Sequence, residues 1–221
     1  MPERAAFFID GFNLYHAISD LGANHLKWNS LWHLAEGLLQ SRSQQLEKVV
    51  FCTAFYPDDV GKRARHERYI KAQKNFGVSV VLGHYVREDM SCRSCGHVWK
   101  KPTEKETDIN LALCLIDDAH MNAFDHAYLV TNDSDQAATV KLFAQRFASK
   151  KLTIVCPPGR RHSKHLLDLS SRSLTLTQEH LEKAVMGHMI HAVDGLIVRP
   201  NEYAPPSDWI HPNNRPVRPH K

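Results

Sequence analysis

The sequence predicts an α/β fold in which a central parallel sheet carries helices on both faces. Short apolar runs alternate with longer helical patterns five times, and each run ends at polar or turn-forming residues. Strands separated by helices in this way are normally joined in parallel. The chain has 221 residues, of which 43% are hydrophobic and 24% charged. That is enough for one domain with a substantial core and some additional segments.

The predicted elements follow from local composition. Five runs rich in apolar, β-branched and aromatic residues predict strands over residues 5–9, 46–56, 78–86, 127–131 and 152–156. The intervening patterns predict helices over residues 13–21, 31–39, 58–76, 108–120 and after 135. Ser30 and Thr107 are the predicted N-caps of the second and fourth helices. With the strand order 3-2-1-4-5, the sheet is doubly wound.

Two segments lie outside this alternation. A polar, cysteine-bearing insertion covers residues 87–106, and six prolines fall between residue 200 and the last residue. So many prolines predict an extended tail. The predicted division is a domain over residues 1–185 and a Pro-rich C-terminal tail over 186–221, of which the part from residue 201 onward is dispensable for folding.

Nothing in the sequence indicates a membrane or secreted protein. No run of 18 or more apolar residues occurs, and the first 13 residues lack the long apolar stretch of a signal peptide. We therefore expect a cytoplasmic protein with no membrane partner. The formal net charge of +4 is compatible with a polyanionic partner.

Acidic residues follow or precede the predicted strands at three separate points. Asp10 follows the first strand, Asp133 and Asp135 follow the fourth, and Asp108 opens the helix before the fourth. The carboxyl ends of parallel strands share one edge, where ligands bind. Clustered carboxylates repel one another, and a divalent ion such as Mg²⁺ or Mn²⁺ relieves that repulsion. Each acid alone is also explained as a helix cap or turn residue; three together favour a metal site.

Three motifs carry a resemblance to a known family. Residues 7–14 (FFIDGFNL) resemble the opening D-G-x-N motif of NYN domains, residues 104–112 (EKETDINLA) their E-K-x-x-D segment, and residues 131–135 (TNDSD) their S-G-D-S-D-F motif. The motifs occur in the family's order, and the resemblance covers about residues 5–170. Asn132 and Gln136 stand where the family usually has Gly and Phe. The resemblance implies a PIN-like fold and metal-dependent cleavage of RNA.

The same resemblance implies roles for individual residues. Asp10, Asp108 and Asp133 are expected to bind Mg²⁺ or Mn²⁺, and Asp135 to support them as a further catalytic residue. Asn13 is expected to orient an acid or to contact a phosphate.

A basic cluster follows the fifth predicted strand and so lies on the same edge as the acids. It contains Arg160, Arg161 and Lys164. Basic side chains beside a metal site are suited to holding a phosphodiester backbone. We therefore expect these residues to bind the substrate.

The favoured hypothesis is a Mg²⁺- or Mn²⁺-dependent endoribonuclease acting on single-stranded RNA. Water is the expected nucleophile, because no motif for a covalent nucleophile or a nucleotide-binding loop occurs. Two alternatives stay open. One is an NYN module that binds RNA or a nucleotide without turnover, and the other is a metal-dependent DNA nuclease or phosphatase.

The insertion contains half of a zinc-binding pattern. Cys92 and Cys95 form a C-x-x-C followed by Gly96 and His97. A structural zinc needs four ligands, so His84 and His97, or a second subunit in a homodimer, would have to complete the set. The alternative is a turn with two free thiols. The remaining three of the five cysteines are isolated in apolar runs, as small core residues are.

Overall fold

The computed structural model describes residues 1–170 and 172–215. Its strands are β1 (Glu3–Asp10), β2 (Gln44–Thr53), β3 (Ser79–Leu82), β4 (His84–Ser91), β5 (Val98–Lys105), β6 (His126–Val130), β7 (Lys151–Cys156), β8 (Ser173–Thr175), β9 (Met189–Ala192) and β10 (Gly195–Val198). Its helices are α1 (Gly11–Asp20), α2 (Leu31–Leu38), α3 (Val60–Asn75), α4 (Thr107–His120), α5 (Ala137–Arg146), α6 (Lys164–Leu169) and α7 (Gln178–Lys183). Short 3₁₀ turns cover Asn24–Lys27, Ser134–Gln136, Asn201–Tyr203 and Pro212–Asn214.

Six strands form one parallel sheet in the order β3-β2-β1-β6-β7-β8. The predicted fold class is confirmed, since β6 and β7 are the fourth and fifth predicted strands. β8 adds a sixth strand that the sequence did not predict. The strand order changes direction between β1 and β6. That position is where doubly wound sheets form a crevice for ligands.

The sheet separates two apolar layers. Along β1, Phe7 and Ile9 face the layer covered by α1, α2, α3 and α7, while Ala6 and Phe8 face the layer covered by α4, α5 and α6. All four residues are at most 1% exposed. A strand buried on both faces has a continuous apolar sequence, which is why this strand was recognisable. Its burial fixes the position of the acid that follows it.

The predicted insertion is an ordered antiparallel hairpin of β4 and β5. Its eight pairs run from His84–Lys105 at the base to Ser91–Val98 at the tip. The predicted third strand over 78–86 is wrong in its extent, because Gly83 ends β3 and the chain then turns into β4. A Cβ at Gly83 would lie 2.5 Å from the carbonyl oxygen of Lys105. Only glycine therefore allows the base of the hairpin to approach the sheet so closely.

The predicted N-caps have different outcomes. The Ser30 side chain accepts a hydrogen bond from the His33 N–H, as expected for an N-cap. The prediction for Thr107 is wrong, because Thr107 is the first residue of α4. The preceding Glu106 has a φ of 77° and makes no side-chain capping bond.

The segment after residue 186 is not uniformly extended, in contrast to the predicted tail. β9 and β10 form a hairpin, whose Ile190 and Ile197 are buried with Trp28 and Ala72. Farther along, Glu202 pairs with Arg65 at 2.9 Å. β9 and β10 were not predicted because each strand has only four residues, too few to form a clear pattern. Residues 216–221 of the predicted tail lie outside the described residues, and the domain boundary at residue 185 stays a prediction.

Among the helices described, none has the length and apolar character needed to cross a membrane.

Candidate active site

Asp10 stands at the carboxyl end of β1 and is the N-cap of α1. Its Oδ1 accepts a hydrogen bond from the Asn13 N–H at 2.9 Å, and its Oδ2 accepts one from the Thr131 hydroxyl at 2.9 Å. The residue is 3% exposed. Burial raises the pKa of this carboxyl, and the nearby Asp133 raises it further. The carboxylate is thus held in one orientation, in a place that disfavours its charge.

Gly11 explains how the chain leaves β1 at this point. A Cβ there would lie 2.5 Å from the carbonyl oxygen of Cys52 and 2.7 Å from the Phe51 ring. Cys52 is also the residue that pairs with Asp10 in the parallel ladder of β1 and β2. The glycine of the D-G-x-N motif therefore lets α1 start directly against β2, which sets the direction of the Asp10 side chain.

Asp133 lies just beyond β6, across the switch point from Asp10. The Thr131 hydroxyl that donates to Asp10 accepts a hydrogen bond from the Asp133 N–H at 3.1 Å. Asp133 Oδ1 in turn accepts from the Asp135 N–H at 3.0 Å. Asp135 is exposed on the 3₁₀ turn and does not line the groove that holds the other acids. Thr131 thus couples Asp10 and Asp133, a role that the sequence analysis did not assign.

Asp108 lies in the first turn of α4 and completes the group. Burial raises its pKa from the ordinary 3.8 to about 6, with further contributions from Asp10, Asp133, Glu104 and Asp135. Burial alone raises a carboxyl pKa, and the four acids that raise it further lie close enough to Asp108 to act on its charge. The predicted convergence of three acids from separate parts of the chain is therefore seen electrostatically.

Gln136 positions the start of α4 relative to β6. Its Nε2 donates to the Asp108 carbonyl oxygen at 3.0 Å, and its Oε1 accepts from the Thr139 hydroxyl at 2.9 Å. The side chain is 2% exposed. At the same helix start, Glu104 accepts from the Thr107 N–H at 2.9 Å. The sequence singled out Gln136 only as a departure from the usual Phe. In the structure, its side chain hydrogen-bonds the turn after β6 to the start of α4.

The acids line a groove of about 620 Å³ at the carboxyl edge of the sheet. One wall is the β5 strand of the inserted hairpin, which contributes Lys101 and Glu104. Asn132 and Arg160, from the loops after β6 and β7, also line the groove. The groove is lined by Asp10, Phe12, Asn13, His16, Tyr56, Tyr85, Lys101, Pro102, Thr103, Glu104, Asp108, Asn132, Asp133 and Arg160. Among these residues, His16, Lys101 and Glu104 were not predicted as members of the site.

Asn13 and Asn132 join the two sides of the switch point. Asn13 Oδ1 accepts a hydrogen bond from the Asn132 N–H at 3.0 Å. Asn132 Oδ1 accepts one from the Ser163 N–H at 2.8 Å. The side chain that replaces the usual Gly therefore ties down the loop after β7, which contains Arg160. Asn13 orients the loop after β6 in this structure, and its expected contact with phosphate stays a prediction.

The predicted basic cluster is only partly brought to the groove. Arg160 lines it and pairs with Asp20 at 2.6 Å. Arg161 and Lys164 are exposed near the start of α6 and do not line the groove. Lys101 supplies a second cation from the inserted hairpin instead. No sequence pattern could place Lys101 there, because the path of the hairpin is set by its packing.

The groove is lined by carboxylate oxygens, the ligands that divalent cations such as Mg²⁺ prefer. Among the described residues, no group of three or more His, Cys, Asp or Glu side chains is arranged to hold a metal ion. Mg²⁺ often takes only one or two protein carboxylates and completes its shell with water and substrate phosphates. The raised pKa values of Asp10 and Asp108 reflect burial first and then repulsion by neighbouring carboxylates, and such a cation would relieve that repulsion. Asp10, Asp108 and Asp133 therefore fit a metal shared with the substrate.

The cysteine pair lies at the tip of the inserted hairpin, away from the groove. The Cys92 N–H donates to the His97 carbonyl at 2.8 Å, and backbone N–H groups of Cys95 and Ser94 lower the pKa of Cys92. His84 is wrong as a completing ligand, because it lies at the base of the hairpin and pairs with Glu106 at 3.2 Å. Within the described chain, no third ligand joins the two cysteines.

The sheet order and the acids at its switch point define the class as a PIN-like α/β domain with a carboxylate-lined groove. Residues 4–167 match the NYN domain family. The chain therefore belongs to the NYN domain family, as its motifs predicted.

Two of the known proteins that are similar to this chain illustrate its relationships. One is 6-hydroxy-3-succinoylpyridine 3-monooxygenase HspA of Pseudomonas putida, which is 25% identical over 203 residues, covering 76% of this chain and 64% of the relative. The chain thus spans less than two thirds of that relative's length. The other is a crystal structure of a protein of unknown function from Vibrio parahaemolyticus, with a TM-score of 0.54 and 20% identity. It covers 80% of this chain and 94% of the other, and supports the fold.

Proposed function

We propose that this protein is a metal-dependent endoribonuclease in which Asp10, Asp108 and Asp133 hold the metal. Membership of the NYN family, a family of PIN-like nucleases, supports nuclease activity in general. The observation that carries the proposal is the convergence of the three carboxylates in one groove. Burial in this groove, together with the charges of Asp10 and Asp133, raises the pKa of Asp108 to about 6.

The chain's own residues orient and polarise this site. Thr131 and the Asn13 N–H fix both oxygens of Asp10, and Gln136 anchors the first turn of α4 that carries Asp108. A bound Mg²⁺ or Mn²⁺ would supply an activated water and neutralise charge that develops on phosphate. The described lining of the groove contains no Ser or Cys, which favours direct attack by water over a covalent intermediate with the protein.

The expected substrate is single-stranded RNA. Lys101 and Arg160 both line the groove, and Arg161 and Lys164 are exposed beyond it. Cations in this arrangement contact phosphates and carry little sequence information. We therefore expect binding that weakens with salt and tolerates many sequences.

The test is cleavage of labelled single-stranded RNA, double-stranded RNA and single-stranded DNA of one sequence, with Mg²⁺, Mn²⁺ or chelator. We expect cleavage of single-stranded RNA that requires a divalent metal and is lost in Asp133→Asn. Asp168→Asn is the matched control, because Asp168 is an exposed acid on α6. If only DNA is cleaved, the substrate is DNA and not RNA. RNA binding without metal-dependent cleavage would support the non-catalytic module, and release of phosphate from a monoester would support a phosphatase.

A second candidate function is the conversion of a small hydroxylated pyridine. The similar Pseudomonas putida protein is named as a monooxygenase of such a compound, and an aromatic cavity of about 230 Å³ adjoins the groove here. The test is a melting curve with 6-hydroxy-3-succinoylpyridine and with RNA. Stabilisation by the pyridine and not by RNA would favour this second function.

A further inference from the structure

A second cavity of about 230 Å³ adjoins the carboxylate groove. The two share four lining residues, Phe12, His16, Tyr56 and Tyr85. The rings of Phe12 and Tyr56 both meet Tyr85 edge-on, with centroids 6.2 and 5.6 Å apart. The boundary between groove and cavity is therefore a set of aromatic rings.

The interior of the cavity is dominated by aromatic rings from distant parts of the chain. Tyr15 comes from α1, Phe51 from β2, Tyr69 from α3 and Tyr203 from the C-terminal segment. The Phe51 and Tyr69 rings pack edge-to-face with centroids 6.0 Å apart. Such a cavity can enclose a flat ring between aromatic faces and edges.

The charges around the cavity have one sign. Lys27 lies 4.9 Å and Lys62 5.5 Å from the centre of the Tyr15 ring, and Lys62 also lies 4.8 Å from that of Tyr56. Among the residues that the structure describes, the cavity lining contains no Asp or Glu. Within the same residues, the ammonium groups of Lys27 and Lys62 form no ion pair with a carboxylate. Burial, with help from Lys62, lowers the pKa of His66 to about 4, so this imidazole is neutral at pH 7. The cavity therefore suits an aromatic ring that carries an anionic group.

Two polar side chains of the cavity lining, Asn29 and His66, are engaged with the protein. The Asn29 amide donates to the Leu26 carbonyl at 2.6 Å and accepts from the Tyr69 hydroxyl at 3.4 Å. The His66 ring bonds to the Thr53 hydroxyl at 3.3 Å. The charged groups of the lining are Lys27 and Lys62, and its larger side chains are mostly aromatic, so a ligand would be held chiefly by stacking and by charge.

We infer that this cavity is a nucleobase subsite, which receives one unstacked base of a single-stranded RNA whose backbone passes through the carboxylate groove. The inference rests on the proposed function. Single-stranded RNA is commonly held by stacking its bases on aromatic side chains, with cations tracking the backbone. Lys27 and Lys62 lie where they can attract the phosphate of the stacked nucleotide. The site accepts purines and pyrimidines alike, because every base has a stacking face.

Tyr15→Leu and Lys62→Met test the inference, because both residues line the cavity and not the groove. The probes are a labelled RNA tetranucleotide and its fully abasic analogue, which has the same backbone without bases. Binding is measured by fluorescence anisotropy in Ca²⁺, and a gel verifies that the RNA stays intact. Trp99→Leu is the matched control, because Trp99 is an exposed aromatic residue on the same hairpin as Tyr85.

We expect the RNA to bind wild type roughly tenfold more tightly than the abasic analogue, since stacking one base contributes about that much. Tyr15→Leu should weaken the binding of RNA but not of the abasic analogue, and so remove this difference. Lys62→Met should weaken the binding of both probes, and Trp99→Leu should change neither. Equal binding of RNA and abasic analogue by wild type, or no binding of either, overturns the inference. Tighter binding of a free hydroxypyridine carboxylate than of a mononucleotide also overturns the inference.

The binding assay does not depend on cleavage, so the two proposals fail separately. Metal-dependent cleavage with equal binding of both probes would leave the nuclease function and remove the base subsite. Tighter binding of RNA than of the abasic analogue, without cleavage in any metal, would leave the base subsite and remove the nuclease function.

Discussion

The substitution Asp108→Asn is expected to stabilise the metal-free protein while abolishing its activity. The pKa of Asp108 is raised from 3.8 to about 6, mainly by burial and then by Asp10 and Asp133. A difference of about 2 in pKa corresponds to about 3 kcal/mol. Because Asp108 is only half-buried, solvent screening reduces the gain expected at pH 7.5 to about 1–2 kcal/mol. In a chain of this size that raises the melting temperature by about 3–6 °C.

The sign of the pH dependence follows from the direction of the shift. A carboxyl whose pKa is higher in the folded state stabilises the fold fully below its unfolded value, near 3.8. That stability is lost as the pH rises through about 6. The asparagine variant has no such loss. Its advantage over wild type should therefore be absent near pH 4, grow as the pH rises to 6, and stay constant above it.

The assay is a urea titration of metal-free wild type and Asp108→Asn across this pH range, repeated with saturating Mg²⁺. The cation should stabilise wild type preferentially and so reduce the advantage of the variant. Single-turnover cleavage of RNA should fall about 100-fold or more. Asp168→Asn, on the exposed face of α6, should change neither quantity. A variant that is less stable than metal-free wild type at pH 7.5 would refute the electrostatic reasoning.

Four further substitutions test the scaffold and the cysteine pair. Gly11→Ala should lower the free energy of unfolding by about 1–3 kcal/mol, because its Cβ would lie 2.5 Å from a backbone carbonyl oxygen. Gly37→Ala, in open space on α2, should stabilise the protein slightly in the same urea titration. Gln136→Leu should leave a carbonyl of α4 without its donor, costing about 1–2 kcal/mol and slowing RNA cleavage. Metal analysis should find one zinc ion for every two chains and none in Cys92→Ser, because each chain supplies two of four ligands.

The sheet was predictable because its central strands are buried on both faces. Apolar runs such as residues 5–9 then have no polar interruption, and their ends mark the edge where ligands bind. β8 was missed because three residues are too few to form a pattern. The break between β3 and β4 was missed because residues 78–86 read as one apolar run, although Gly83 ends the strand.

The predicted acids converge because strand order alone brings Asp10 near Asp133. Their supporting residues were not predictable in the same way. Thr131 and Gln136 act through hydrogen bonds to groups that are 121 and 28 residues away in the sequence. Lys101 reaches the groove only because the hairpin folds against it. Such roles depend on tertiary packing, which leaves no local periodicity in a sequence.

The two segments outside the alternating pattern supply residues to the groove and to the aromatic cavity, the two sites proposed to hold the substrate. The inserted hairpin supplies Lys101 to the groove and Tyr85 to the boundary of both cavities, and the C-terminal segment supplies Tyr203 to the aromatic cavity. The acids themselves come from β1, α4 and the loop after β6, which the family motifs describe. The proposed metal-binding acids are therefore placed by the parallel sheet and α4, whereas Lys101, Tyr85 and Tyr203 are placed by segments outside that sheet. A C-terminal segment that forms a cavity wall and pairs Glu202 with Arg65 also has a reason to stay ordered despite its prolines.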